Sequence, residues 1–168
     1  LFISHTHYDH IGGALLADGT PAFPHARVVL WDSERGQLEL TAPVNKVLYE
    51  AAQDYLPRLG QQLVYAADGE EILPGARLAG LPGHTTGMAG LMLRSRGERV
   101  LFCGDLFYHA LQVEHPEWCS QYDLYPVQAV DTRRRVYGWA ADEGFLVLPS
   151  HAPLPGPGHI KRSGAGYL

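Results

Sequence analysis

The stretch SHTHYDHIGG, residues 4–13, gathers four side chains that are able to bind a metal ion. Three histidines and an aspartate, His5, His7, Asp9 and His10, lie within six consecutive positions. Imidazole nitrogens and carboxylate oxygens are suitable ligands for zinc and similar divalent ions. A polar surface loop explains this density of ligand-type residues poorly, so we interpret the stretch as a metal-binding loop.

The spacing within this loop indicates more than one ion. Alternate residues of an extended chain point the same way, so we expect His5, His7 and Asp9 to share a face. His10 then points elsewhere and is available to a second centre. Because one ion cannot easily use four ligands from so short a loop, the spacing favours two ions.

Further ligand candidates follow downstream, each just after an apolar run that is typical of a strand. They are His84 in LAGLPGHTTG, Asp105 in RVLFCGDLFY and His151 in FLVLPSHAPLPG. A Gly-His or Gly-Asp pair after a strand is also ordinary turn chemistry, and only the first loop makes a metal role the better interpretation. His159 is a rival to His151, but it lies in a glycine-rich stretch, whereas His151 leaves a predicted strand directly.

The hydrophobic pattern mixes strands and helices and therefore predicts an α/β fold. Helical spacing predicts helices over 45–59 and 126–143, the second entered by Pro126 and closed by Gly144. The other predictions are strands at 1–4, at 26–31, within 62–104 and at 145–150, a brief helix over 33–40 capped by Asp32, and a loop over the Gly- and Pro-rich tail, 151–168.

Composition narrows the classes of protein. The chain has 168 residues, 46% of them hydrophobic and 18% charged, which predicts one globular domain spanning 1–168. Its net charge of −5 argues against a nucleic-acid partner, and the basic cluster Arg133–Arg135 is interpreted as a solvated helix face. Apolar runs such as GFLVL are too short to cross a membrane, and Cys103 is expected to be a buried core residue. The composition leaves compartment and oligomeric state open.

The motifs H-x-H-x-D-H, G-H-T-x-G, a G-D pair after a strand and a strand-end histidine occur here in one order. That set resembles the metallo-β-lactamase fold superfamily and implies an αββα sandwich. By this resemblance His5, His7 and His84 would hold one metal, and a second group would hold the other. The second metal's ligands would be Asp9, His10 and His151, and Asp105 would bridge both ions.

The resemblance implies a metal-dependent hydrolase that carries two divalent ions, with zinc expected. A shared carboxylate helps to neutralise two neighbouring dications, and a water held between them becomes a hydroxide nucleophile near neutral pH. Asp9, Asp105 and Tyr108 are the expected catalytic residues. Some lactonases of the superfamily place a tyrosine three residues after the bridging aspartate, which is the position of Tyr108, and there it contacts the substrate carbonyl.

The C-terminal half, including QVEHPEW (112–118), looks like the lactonase and methyl-parathion-hydrolase-like branch of the superfamily. The resemblance therefore implies a small-molecule substrate, first a lactone of the N-acyl homoserine type. An organophosphate triester or a thioester is the alternative. A non-hydrolytic di-iron or metal-binding module on the same scaffold is the alternative from another class. Trp118 and Tyr122 could form an aromatic wall for the substrate or simply pin their loop.

The position of the first motif carries one more expectation. In the superfamily several strands precede the H-x-H-x-D-H loop, whereas only LFIS (1–4) precedes it here. We therefore expect an incomplete sandwich that lacks N-terminal strands.

Overall fold

The computed structural model describes residues 1–39, 43–153 and 156–168. Leu40, the end of the brief helix predicted after Asp32, lies outside the described residues. The helices are α1 (Tyr8–Ile11), α2 (Pro43–Leu59), α3 (Leu111–Glu114) and α4 (Pro126–Glu143), with 3₁₀ turns at Gly12–Ala14, Asp32–Glu39 and Gly60–Gln62. The strands are β1 (Val28–Trp31), β2 (Leu63–Ala66), β3 (Glu71–Leu73), β4 (Ala76–Gly80), β5 (Ala89–Ser95), β6 (Glu98–Phe102), β7 (Leu146–Leu148), β8 (Gly158–His159), β9 (Arg162–Ser163) and β10 (Gly166–Tyr167).

The larger sheet has the strand order β3-β4-β5-β6-β7-β8. Neighbouring strands are antiparallel except β6 and β7, which run parallel with Val100 opposite Leu146. The connection between these two strands contains α4, as a parallel pair requires a long crossover. The carboxyl ends of β6 and β7 therefore lie at the same edge of the sheet.

A smaller sheet forms around β1. It pairs in parallel with β2 on one side, with Val28 opposite Leu63, and with the first residues of the chain on the other. The backbone N–H of Ile3 donates to the carbonyl of Val29 at 3.0 Å. This pairing fixes the direction in which the chain continues into the metal-binding loop.

Three apolar clusters show that helices and sheets stack in layers. On β1 the side chains alternate, as in any strand. Leu30 packs with Ala52 of α2, whereas Val29 packs with Leu78 of the larger sheet. On the far side of that sheet, its side chains pack against α4. This third cluster includes Met92, Leu101, Val136, Tyr137 and Ala140. The predicted α/β sandwich is therefore confirmed.

Most predicted elements are confirmed, but the strand predicted at 1–4 is reduced to a single bridge at Phe2, and the tail predicted as loop contains short strands. Helix α4 spans 126–143, and Gly144 closes it with a φ of 69°. The tail is not all loop, because β8 pairs with β7 and β9 pairs with β10 around a turn at Gly164. Two-residue strands rich in glycine leave no hydrophobic alternation to detect.

The basic cluster on α4 is not simply a solvated face. Arg134 and Arg135 are exposed, but Arg133 is fully buried. Cys103 is a buried free cysteine, as predicted. Within the described residues, no helix combines the length and the hydropathy needed to cross a membrane.

Candidate metal centre

The candidate ligands lie just beyond the ends of strands, which is why the fold brings them together. Asp105 follows β6 and His151 follows β7, whose carboxyl ends share an edge. Backbone hydrogen bonds lock the two exits to each other: Cys103 N–H to the carbonyl of Leu148, and Ser150 N–H to that of Gly104, both at 2.9 Å.

Gly104 is required for the loop from β6 to sit against the first motif. Its φ is +55°, a backbone conformation that is unfavourable for residues with a Cβ atom. An added Cβ would also lie 3.1 Å from the Cβ of Ser4. The backbone N–H of Ala89 also donates to the carbonyl of Ser4, at 2.9 Å. The metal-binding loop is therefore held directly against the larger sheet.

The first motif is not extended throughout. Helix α1 begins at Tyr8, so the alternation that was expected to place Asp9 beside His5 and His7 ends at His7. The Asp9 carboxylate instead lies beside His151, with Oδ2 3.1 Å from Nε2. The local turn into a helix, which the alternation argument ignored, is the reason for this difference.

One set of candidate ligands is buried, and we call His5, His7 and His84 the buried group. Their rings pack edge to face, with centroids 4.5 to 4.8 Å apart. One nitrogen from each lies within 4.8 Å of the others, and His84 Nε2 is 3.0 Å from His7 Nδ1. Ser4 Oγ is 3.1 Å from His5 Nδ1.

A metal ion fits the buried group. His5 Nε2 is fully buried and has no hydrogen-bond partner in the described part of the chain. A buried polar atom of this kind is costly unless something binds it. Since imidazole nitrogens are the commonest nitrogen ligands of zinc, the donor set matches a zinc-like ion.

The second set of candidate ligands is more exposed, and we call Asp9, His10 and His151 the outer group. His10 Nε2 lies 3.5 Å from Asp9 Oδ2 and 3.4 Å from His151 Nε2. These three residues also offer ligand atoms within 4.8 Å of one another. A carboxylate and two imidazoles are again a donor set suited to zinc and similar ions.

Asp105 contacts both groups. Its Oδ1 is 3.2 Å from His10 Nε2, and its Oδ2 is 3.5 Å from His84 Nε2 and 3.4 Å from His151 Nε2. It also forms a further possible ligand set with His5 and His10. The structure thus brings all seven predicted ligands into one cluster, with the Asp105 carboxylate between the two groups.

Burial and mutual contact shift the pKa values of these residues in opposite directions. Burial, together with the neighbouring imidazoles, holds the pKa of His5 well below 6.5 and lowers the pKa of His7 to about 3. Burial also opposes charge on His10, but its contact with Asp105 outweighs burial and raises the pKa of His10. Likewise, burial would raise the pKa of Asp105, yet the imidazoles around it hold that pKa below its ordinary range.

A buried ion pair, which the sequence did not indicate, supports His84. Asp123 Oδ1 lies 3.0 Å from His84 Nδ1, and Asp123 Oδ2 accepts a 2.7 Å hydrogen bond from Arg133 Nη2. Both side chains of this pair are fully buried. A carboxylate on the far nitrogen of a ligating histidine fixes its orientation and leaves the other nitrogen for the metal.

Arg133 also shapes the loop that carries Tyr108. Its guanidinium donates to the carbonyls of Leu106 at 2.7 Å, Trp118 at 3.0 Å and Pro116 at 3.2 Å. The sequence held a signal for its burial, since Arg133 falls on the same face of α4 as other buried residues. That face also carries Ala129, Thr132, Val136, Tyr137 and Ala140.

Tyr108 lies beside the cluster, as expected from its position after Asp105. Its hydroxyl donates to Asp105 Oδ2 at 3.1 Å and lies 3.3 Å from His84 Nδ1. Its ring stacks on His151 at 5.6 Å. Burial and the carboxylates of Asp105 and Asp123 raise the pKa of Tyr108 above its ordinary value of 10, so the phenol keeps its proton at neutral pH.

A cavity of about 430 Å³ opens over the cluster. Tyr122 lines it and is half exposed, whereas Trp118 stacks on His115 at 4.3 Å and is not among its lining residues. Of the two aromatic residues, Tyr122 thus lines the cavity, whereas Trp118 packs against His115. The cavity is lined by His7, Asp9, His84, Asp105, Tyr108, Tyr122 and His151.

An α/β sandwich with a His/Asp cluster at its strand ends defines a known class of protein. Residues 1–136 match the family description of the metallo-β-lactamase superfamily, and the chain belongs to that superfamily. It is also similar to probable metallo-hydrolases of Mycobacterium tuberculosis and Mycobacterium bovis, at 31% identity over 123 residues. That alignment covers 65% of this chain and 37% of each relative.

Solved structures show the same fold. One is AidC, a dizinc quorum-quenching lactonase in complex with the product N-hexanoyl-L-homoserine, with a TM-score of 0.90 and 23% identity. Another is the hydrolase AbOPH of the β-lactamase superfamily, with a TM-score of 0.86 and 26% identity. In both cases 99% of this chain aligns with 61% of the other. The chain thus spans less than two thirds of the length of these relatives.

Proposed function

We propose that this chain carries the catalytic centre of a dinuclear metal-dependent hydrolase that cleaves an ester-like bond, with an N-acyl homoserine lactone as the favoured substrate. One observation supports this above the others. Asp105 lies between two groups of potential ligands while accepting a hydrogen bond from a protonated phenol, Tyr108, at the floor of an open cavity.

The buried group would hold one ion and the outer group the other, with Asp105 shared between them. When bound, two divalent ions supply an activated water nucleophile at neutral pH and polarise the substrate's carbonyl oxygen. The lowered pKa values of His5 and His7 keep these imidazoles neutral and ready to bind a cation. The negative charge of Asp105 offsets part of the charge of both ions.

Tyr108 would act on the substrate itself. Tyr108 lines the cavity, and its hydroxyl lies 3.1 Å from Asp105 Oδ2, so a substrate bound beside Asp105 would lie near this hydroxyl. A phenol in this place donates a hydrogen bond to the oxyanion that develops when the ester carbonyl is attacked, or protonates the departing alkoxide. Either role lowers the barrier without requiring the phenol to ionise.

Two features support a lactone substrate. The cavity, at about 430 Å³, falls within the range of small-molecule sites and has aromatic as well as polar lining. The structural relative AidC is a lactonase that was solved with a homoserine product, which supports a molecule of this kind as the substrate.

A substrate panel on the zinc-loaded protein tests the proposal. It should contain N-acyl homoserine lactones, simple lactones, an aryl phosphotriester and a thioester, and we expect the highest kcat/KM for an acyl homoserine lactone. Tyr108→Phe should lower kcat by about 10²-fold, because it removes one preorganised donor, with zinc content unchanged. Tyr122→Phe is the matched control, since Tyr122 lines the cavity without a recorded bond to Asp105.

Different results would lead to different conclusions. Turnover of the phosphotriester or thioester alone would retain the hydrolase and reject the lactone. A protein that binds no divalent metal, or a coloured iron-loaded protein with redox activity and no hydrolysis, would contradict the hydrolase itself.

A further inference from the structure

A buried glutamate lies between the two loops that carry the buried group. Glu34, at the start of the 3₁₀ turn after β1, is 1% exposed. Its Oε1 accepts hydrogen bonds from the backbone N–H and the hydroxyl of Thr6, at 2.8 and 2.6 Å. Its Oε2 accepts a 3.1 Å hydrogen bond from the hydroxyl of Thr85. One carboxylate therefore ties together two segments that are far apart in sequence.

Both partners of Glu34 are direct neighbours of predicted ligands. Thr6 lies between His5 and His7, and Thr85 follows His84. A shift of either threonine would therefore move an imidazole of the buried group. The separation of these imidazoles decides whether they can share an ion, because zinc ligands must lie about 2 Å from the metal.

The contact is built into the backbone as well. An added Cβ at Gly87 would lie 2.3 Å from the Cα of Glu34 and 2.4 Å from its Oε2, so only glycine allows this approach. The Ser33 hydroxyl donates to the carbonyl of Thr86 at 3.3 Å. The last glycine of the G-H-T-T-G motif thus has a physical role, which is to admit Glu34.

No salt bridge to a Lys or Arg side chain is recorded for Glu34 among the described residues. Burying a carboxylate without a cation is unfavourable unless several donors hydrogen-bond to it, and all its donors here belong to the two ligand loops. The hydrogen bonds of this buried carboxylate therefore serve to hold the two ligand loops together.

We propose that Glu34 is a positioning residue for the metal centre: it holds the His5–His7 loop against the His84 loop and so sets the geometry of the buried ion position. This inference rests on the proposed function, because it assumes that the buried group binds a metal. It adds a determinant of that centre that lies outside the seven ligands.

The test compares Glu34→Ala, Glu34→Gln and Thr85→Val with the wild type. Glutamine at position 34 keeps an oxygen acceptor for Thr6 and offers an amide N–H to the Thr85 oxygen. Glu34→Gln should therefore keep the hydrogen bonds that join the two loops. Thr85→Val removes one hydroxyl and so breaks only the hydrogen bond between Glu34 and the His84 loop. Asp32→Asn is the control on the same turn, since the Asp32 side chain is exposed.

Two readouts separate positioning from general stability. Zinc affinity of folded protein should fall about 10- to 100-fold for Glu34→Ala, as for other residues that orient metal ligands, and less for Thr85→Val. The visible spectrum of the fully cobalt-loaded protein should change in both variants, while Glu34→Gln and Asp32→Asn remain close to the wild type. Circular dichroism identifies any variant that does not fold. If Glu34→Ala does not fold, the zinc affinity and cobalt spectrum of Thr85→Val test the inference instead.

The inference is overturned if folded Glu34→Ala and Thr85→Val keep the wild-type affinity and cobalt spectrum. It is also overturned if Glu34→Gln is as poor as Glu34→Ala while Thr85→Val is unaffected. A wild type that takes up no zinc or cobalt would reject the proposed function and this inference together, so the two failures are distinguishable.

Discussion

The two halves of the candidate centre are built from similar ligands but in different surroundings. In the buried group His5, His7 and His84 are 0%, 4% and 2% exposed. In the outer group the side chains of Asp9 and His151 are 58% and 39% exposed. The buried half is thus part of the core, whereas two of the three outer ligands face solvent and His10, with a side chain 9% exposed, lies between the halves in burial.

The surroundings also differ in how they hold the ligands. Ser4 contacts His5, and Asp123 contacts His84 from a buried ion pair, so scaffold residues orient two of the buried imidazoles. The described contacts of His151 are with other members of the cluster and with the ring of Tyr108. Ser4 Oγ also lies 3.4 Å from His10 Nδ1, so the outer group has one scaffold contact as well. The comparison teaches that the fold orients the buried position more fully than the outer one.

The largest effect should come from removing the carboxylate that contacts both halves. We expect Asp105→Ala to lower kcat/KM by about 10³-fold or more, because several kcal/mol of transition-state stabilisation depend on correctly held ions. Zinc content, measured by mass spectrometry, should fall in both positions. Asp18→Ala, which changes an exposed aspartate whose described hydrogen bonds come from Thr20, is the control. An Asp105→Ala protein with full zinc and full turnover would contradict the shared role.

The next effect concerns the buried half alone. Asp123→Asn should weaken zinc binding about 10- to 100-fold, because it disturbs the partner of His84. It should also lower the free energy of unfolding by about 3–5 kcal/mol, since it leaves the buried Arg133 guanidinium uncompensated. Zinc titration and chemical denaturation measure the two effects.

A double variant separates these two effects of Asp123. Asp123→Asn combined with Arg133→Met should regain part of the stability, because both buried charges are gone, but should not regain zinc affinity. Arg134→Met is the control one position further along α4, where the side chain is exposed and a change within about 0.5 kcal/mol is expected. If the single variant Arg133→Met were as stable as Arg134→Met, burial of Arg133 would be unimportant for stability.

The smallest effect is a difference in pH dependence between the halves. The raised pKa of His10 means that this imidazole keeps its proton to a higher pH than a free histidine, and a protonated nitrogen cannot bind a metal. His7, with its pKa lowered to about 3, is already neutral. As pH falls from about 8 to about 5, zinc should therefore leave the outer group first.

This order of loss can be measured as zinc per chain after equilibration at each pH. Below the pKa of His10 the affinity of the outer position should fall about tenfold per pH unit, the limit for one competing proton. Loss of both ions in a single step, or loss from the buried group first, would remove the distinction between the halves.

The seven ligand candidates could be found from sequence because their signal is chemical and local. Imidazole and carboxylate groups in dense spacing at strand ends point to a metal, whatever the rest of the chain does. Helix α4 was likewise visible, since Pro126 and Gly144 mark its ends by local backbone preferences. The short strands of the tail had no such pattern and were missed.

Glu34, Asp123 and Arg133 were harder to assign from sequence, although the helical face on which Arg133 falls carried a signal for its burial. Each carries a charge that is ordinarily solvated, so each was either left unmentioned or placed at the surface. Their burial depends on partners far along the chain: Glu34 lies 51 positions from Thr85, and Asp123 lies 39 from His84.

The sequence by itself determined which side chains are able to bind metal, because donor chemistry belongs to each residue alone. Only the tertiary structure decided how they group, bringing His151 to within 3.4 Å of His10 across 141 positions and placing Asp9 beside His151. It also decided which imidazoles have a lowered pKa, His5 and His7, and which has a raised pKa, His10. The physical reason is that proximity and desolvation arise from the packing of distant segments, which spacing along a chain does not encode.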